Sequence, residues 1–170
     1  MLLNFLDVNL YKSQGKAITN FDRQLPALQS DLAKEVIKDP YNFDFLTLTE
    51  GYREKELEDA LTNNITKFLL ELGQGFAYIG RQQPIMIGQK EMAMDLLFYH
   101  MKLRCYVVID LKVGEFDASY TSQIGTYVVA VNHQLKTEMD NPTIGLIICK
   151  TKDNVVAEYS LEASSVPIGI

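Results

Sequence analysis

Residues that build disulfide and zinc frameworks are scarce: 170 positions include two cysteines and two histidines. Cys105 and Cys149 each sit inside strand-like apolar runs, which suits buried thiols in a reducing cytoplasm better than a disulfide framework. No spacing joins them, or His100 and His133, into a metal ligand set. No apolar run approaches the ~20 residues that span a bilayer. The opening MLLNFLDVNLYKS lacks a basic n-region and meets acidic and polar residues early, so it does not read as a signal peptide. Basic charge is also in deficit, with 16 Lys and Arg against 22 Asp and Glu and a net charge of −6. That balance argues against a protein that coats nucleic acid, although a carboxylate cluster holding a cation would lower the average in the same way. A phosphate loop is excluded as well: GQGFAYIG follows a helical pattern instead of opening one and has no Lys-Ser/Thr.

What remains is a globular composition, 47% hydrophobic and 22% charged, in a length that fits one domain with a real core. Residues 1–50 read as an arm or connector, with a loop-like stretch Ser13–Asp22, a proline at Pro26, and a short helix from Asp31 to Lys38 capped by Ser30. Asp39-Pro40 ends that helix, and YNFDFLTL follows as a docking segment. A helix is predicted from Arg53 to Leu72, because Leu57, Leu61, Ile65, Phe68, Leu69 and Leu72 share one stripe and Gly73 can stop it. Strand-like pieces follow at Phe76–Gly80 and Pro84–Gly88, then MAMDLLFYH and CYVVIDLKV. A second helix runs from about Tyr120 to Leu135, with Ile124, Val128, Val131 and Leu135 as its stripe and Ser119 as its cap. TIGLIICK suits a buried central strand, VVAEYSL reads as a last strand, and residues 163–170 read as a frayed tail. The division is thus an arm (1–50), a domain (51–162) and a tail.

The chemistry sits on one hairpin. Met101-Lys102-Leu103-Arg104 is a polar break of hairpin-loop length. A turn centred there makes paired residues sum to about 205, which sets Asp95 opposite Asp110. Alternation along the strand then gives Lys112 the same face as Asp110, with Leu111 on the other. Two carboxylates opposite one another repel. One lysine offsets this in part, and a hard divalent cation does so better, since carboxylate oxygens are its preferred ligands. The main-chain carbonyl of Leu111 is a further donor. Mg²⁺ in such a site polarises a phosphoryl oxygen and activates water, while Lys112 orients that water or stabilises developing charge. The bland alternative is a salt-bridge cluster at a strand edge.

With these residues in hand, the chain resembles the PD-(D/E)XK nuclease superfamily, and within it the YhcG-like bacterial nuclease domain. KDPYNFDFL, ELEDAL, FLLELGQGFAYIGRQ, DLLFYHMKLRCYVVIDLKVGEF and DNPTIGLIICK carry the resemblance. It implies an α/β (α+β) restriction-endonuclease-like core, αβββαβ, with a mixed central sheet flanked by helices. It also implies Mg²⁺, or Mn²⁺ in its place, and DNA as substrate with RNA left open. The motif's first aspartate matches Asp95, and its (D/E)-x-K matches Asp110-Leu111-Lys112, with aspartate where glutamate is commoner. An acidic residue from the first helix often joins the site. Glu58 lies within the apolar stripe, Glu56 points away, and Glu54 is explained by the helix dipole, so Glu58 is the expected partner. Gln123 and Tyr127, four apart on one helical face, are similar to a Q-x-x-x-Y pair that supports the metal site and contacts nucleic acid in RecB-like members. The resemblance implies an additional N-terminal helical domain for which no counterpart is expected before Lys12, as in the C-terminal part of a longer protein or a shortened relative, and a homodimer follows by analogy with cutting two strands. DNA processing or defence against foreign DNA is the expected role. A catalytically weak DNA-binding or assembly module on the same fold is the alternative.

Overall fold

The computed structural model describes residues 17–36, 59 and 75–170. Five strands form one mixed sheet in sequential order: β1 Phe76–Ile87, β2 Lys90–His100, β3 Cys105–Glu115, β4 Ile144–Thr151 and β5 Ile168–Gly169. The first three pair antiparallel, and β4 and β5 add in parallel. The helices among the described residues are α1 Phe21–Gln24, α2 Ala27–Val36, α3 Ser119–Gln134 and α4 Asn154–Glu162. The two parallel additions each require a crossover, supplied by α3 between β3 and β4 and by α4 between β4 and β5.

Alternating side chains divide the core between the two faces of the sheet. Leu96, Phe98, Val107, Ile109, Leu111, Ile144, Leu146 and Ile148 pack against Phe21, Leu25 and Ala33 from the N-terminal helices. Leu97, Val108 and Ile147 meet Ile124, Val128 and Val131 of α3 and Ala157 and Leu161 of α4. Central strands β3 and β4 are covered on both sides, which explains why their sequences are continuously apolar. Gly145 lets α3 lie close on β4, since a Cβ there would stand 3.0 Å from Ile124 Cδ1.

The hairpin register has the expected sum, with Leu96 facing Ile109 and His100 facing Cys105, but the ladder ends at Leu96 and Ile109, so the expected Asp95–Asp110 pair is not part of it. Arg104 closes the turn with φ 55°, and its amide donates to the His100 carbonyl. His100 is a buried packing residue whose Nδ1 accepts from the Leu103 amide at 3.1 Å, and His133 is exposed. Both cysteines are free thiols.

Several expectations are corrected. The pieces at Phe76–Gly80 and Pro84–Gly88 are one strand, bent by a register shift between Tyr78 and Gly80. Pro84 is tolerated because β1 pairs on one side alone among the described strands, so its missing N–H is not needed. The N-terminal helix begins at Ala27 instead of Asp31, and Ser30, expected as its cap, lies inside it and donates to Asp22 Oδ1. Ser119 is the first residue of α3, not its cap; Asp117 accepts from the Ser119 amide and hydroxyl. Leu135, expected on the α3 stripe, is exposed.

VVAEYSL is helical. Val155 and Val156 favour a strand by propensity, but Asp153 accepts from both of their amides, and Ala157 and Leu161, four apart, bury one helical face. Asp153→Ala should cost about 1 kcal/mol and lower Tm by roughly 2–4 °C; an unchanged melt would count against the cap. Residues 166–170, expected to be frayed, are buried. The predicted helix over Arg53–Leu72 and the segment YNFDFLTL lie outside the described residues, except Asp59, which is helical.

Candidate active site

Strands β2 and β3 stay paired up to Leu96 and Ile109. One residue further, the Asp95 side chain takes over as acceptor: its Oδ2 receives the Leu111 amide at 2.9 Å. A buried amide needs an acceptor, and here a carboxylate supplies it, which ties Asp95 to the middle residue of the Asp110-Leu111-Lys112 triplet. Leu111 is itself fully buried in the core on the opposite face. Its side chain anchors the main chain at this edge without entering the site.

Asp110 shares the parity of Val108 and therefore faces α3. It is 2% exposed, and its Oδ2 is buried without a hydrogen-bond donor among the described residues, although other interactions reach the residue. Lys112, on the same face and half-buried, lies over the ring of Tyr120 with Nζ 4.7 Å from the centroid. On β4, Ile147 stands beside Asp110 and Cys149 beside Lys112.

The facing helix brings in the expected pair. Gln123 Nε2 donates to the Tyr127 hydroxyl at 3.3 Å, and Tyr127 is 4% exposed. Burial pushes the Tyr127 phenol above its ordinary pKa; the Gln123 hydrogen bond opposes this, the charges of Asp110 and Asp95 add to it, and Lys112 subtracts. Asp110 and Lys112 thus lie on the α3 side of the sheet, and Asp95 is tied to the residue between them.

Glu58 lies outside the described residues. Its neighbour Asp59 forms an ion pair with Arg81, and Arg81 stands opposite Leu96, next to Asp95. Among the described residues no three His, Cys, Asp or Glu side chains are placed to hold a metal. The donors that are present, two carboxylates and the carbonyl of Leu111, are all oxygens, and Asp110 is withdrawn from bulk water. Such donors fit a hard divalent cation.

The model of the YhcG PDDEXK nuclease domain matches residues 34–170. This chain belongs to the YhcG PDDEXK nuclease domain family. YhcG of Escherichia coli (strain K12), whose description as a nuclease is provisional, is 39% identical over 136 residues, 80% of this chain. That stretch is 36% of the relative, so the chain spans about a third of the length of the curated protein it matches. Among solved structures, an EndoMS–dsDNA2 complex superposes with a TM-score of 0.50 at 17% identity, over 75% of this chain and 48% of that one. A repair endonuclease from Pyrococcus abyssi gives 0.45 at 20% identity, over 68% and 46%. The EndoMS likeness is one of fold.

Two features escaped sequence reasoning. The bond from the Leu111 amide to Asp95 has no local signature. Tyr120, beneath Lys112, had a faint one, an aromatic residue in the first turn of the helix that follows the D-x-K strand.

Proposed function

We propose that this YhcG-type domain hydrolyses phosphodiester bonds of DNA with a divalent cation, and that Asp95, Asp110 and Lys112 form the centre of the site. The observation that carries the reading is the bond from the Leu111 amide to Asp95 Oδ2 at 2.9 Å, which joins Asp95 to the Asp110-Leu111-Lys112 triplet, in a chain of a nuclease family. Asp95, Asp110 and the carbonyl of Leu111 are the donors for the cation, with Glu58 as a further carboxylate. When bound, Mg²⁺, or Mn²⁺ in its stead, polarises a phosphoryl oxygen and lowers the pKa of a water nucleophile. Lys112 directs its ammonium at the charge that develops on the phosphoryl group, in a partly desolvated setting where that attraction is strong. Gln123 and Tyr127 support the carboxylates from α3 and offer an amide and a hydroxyl to the nucleic-acid backbone.

DNA is favoured as the substrate by the family and by the fold shared with a structure that holds double-stranded DNA. The role is DNA processing or defence against foreign DNA in the cytoplasm. Two copies would serve the two strands, and a helical domain of a longer protein would dock DNA or a partner.

The test is incubation of supercoiled, linear and branched DNA, and of RNA, with the chain in Mg²⁺, Mn²⁺ or EDTA, beside Lys112→Ala. Metal-dependent cleavage that falls about 10²–10³-fold in the variant, without a shift in Tm, is the expected result. Binding that survives EDTA and the substitution, with no cleavage by either protein, would replace this reading with that of a DNA-holding module.

A further inference from the structure

Lysine has a long, flexible stem, and holding its ammonium at one point has an entropic cost. A lysine that acts on a reacting group therefore needs restraint, and Tyr120 is built to supply it. Lys112 Nζ lies 4.7 Å from the Tyr120 ring centroid, within the range at which a ring quadrupole attracts a cation. The ring is itself held. Phe116 packs edge-on against Tyr120, centroids 6.0 Å apart at 79°, and is 5% exposed. The Phe116 amide donates to Thr151 of β4 at 2.8 Å. Behind Tyr120 the chain is pinned where Asp117 accepts from Ser119 at the start of α3.

The backbone explains how this relay forms. The β3–β4 register slips between Lys112 and Glu115, so the chain leaves its regular ladder just past the lysine. Gly114, Glu115 and Phe116 then cross to the start of α3, which brings Tyr120, eight residues on, back over Lys112. Tyr120 lies on the same helix as Gln123 and Tyr127 but in an earlier turn. The aromatic support of the lysine is thus separate from the Gln123–Tyr127 hydrogen bond.

We propose that Tyr120 is a positioning residue for Lys112: its ring face, braced by Phe116, restrains the ammonium at the D-x-K edge of the sheet. This rests on the nuclease reading of the site. The ring is what matters, so Tyr120→Phe should behave as the parent does. Tyr120→Leu keeps an apolar side chain but removes the quadrupole, and should lower kcat about tenfold with KM for DNA unchanged.

The deciding experiment pairs that kinetic comparison with NMR of the full chain, observing the Lys112 ε-methylene group at fixed pH. Protons over an aromatic face are shielded, so the signal should lie upfield in the parent and in Tyr120→Phe and return to the ordinary lysine position in Tyr120→Leu. A Lys112 signal at the ordinary position in the parent, or a Tyr120→Leu protein with parental kcat, overturns the inference. So does a Tyr120→Phe protein as impaired as Tyr120→Leu, because the hydroxyl would then be the active part. Absence of cleavage by the parent under every metal condition overturns the nuclease reading instead, and the NMR comparison then decides whether Tyr120 restrains Lys112.

Discussion

Asp110→Asn is expected to remove cleavage almost completely while leaving the domain folded. The substitution keeps the shape of a side chain that is 2% exposed and deletes its charge. A carboxylate that holds a cation contributes to several kcal/mol of transition-state stabilisation, so the rate should fall by about a thousandfold or more. Stability should move differently. Without a divalent ion, Asp95, held on the Leu111 amide, and Asp110, one residue before it, bring like charge to one edge, and neutralising one relieves that repulsion. In metal-free buffer the variant should therefore melt level with the parent or above it. Saturating Mg²⁺ should raise the parent's Tm, by up to about 2.7 kcal/mol of linkage at a hundredfold excess over Kd, and leave the variant nearly unmoved. Melting curves in EDTA and in Mg²⁺ check this beside a cleavage assay. Equal metal stabilisation of both proteins would remove Asp110 from the ligand set.

The second large effect is expected far from the chemistry. Ending the chain at Ser165 removes Val166, Ile168 and Ile170, which are 9%, 0% and 5% exposed, together with β5. Each fully buried side chain of this size contributes about 1.5–3 kcal/mol. The loss is then on the order of 5 kcal/mol or more, comparable with the entire stability of many domains. Polar groups would also be stranded. Asn20 donates to the Val166 carbonyl and accepts from the Ile168 amide, both at 2.7 Å, and Ile18 and Ile170 exchange two backbone hydrogen bonds. Asn20 is itself 2% exposed, so water cannot readily replace the lost partners. The shortened protein should fail to give a cooperative melt. A transition within a few degrees of the parent would show that β5 contributes little.

The last five residues also show where reading along the chain stops being informative. Val-Pro-Ile-Gly-Ile is short, contains proline and glycine, and follows a polar stretch, so locally it resembles an end. Its burial depends on β4 and on Asn20, 146 and 148 residues from its bonded partners. The same limit applies to α4, where β-branched valines suggested a strand and the Asp153 cap decided for a helix.

The hairpin was legible because its determinants are local. A four-residue turn sets which residues face each other as far as Leu96 and Ile109, and alternation along β3 puts Asp110 and Lys112 on one face. Likewise the apolar stripe of α3 and the Gln123–Tyr127 spacing follow from helical period alone. These rules lead to the expectation of three charges at one edge but leave open what their side chains touch. That was decided in three dimensions: the Asp95 side chain caps the Leu111 amide where the ladder opens, and Tyr120 returns from the next helix to lie under Lys112. Both contacts depend on where a strand stops pairing and how a helix docks. Periodicity along the chain carries no information about either, because they are set by packing between residues brought together only when the sheet and its helices close.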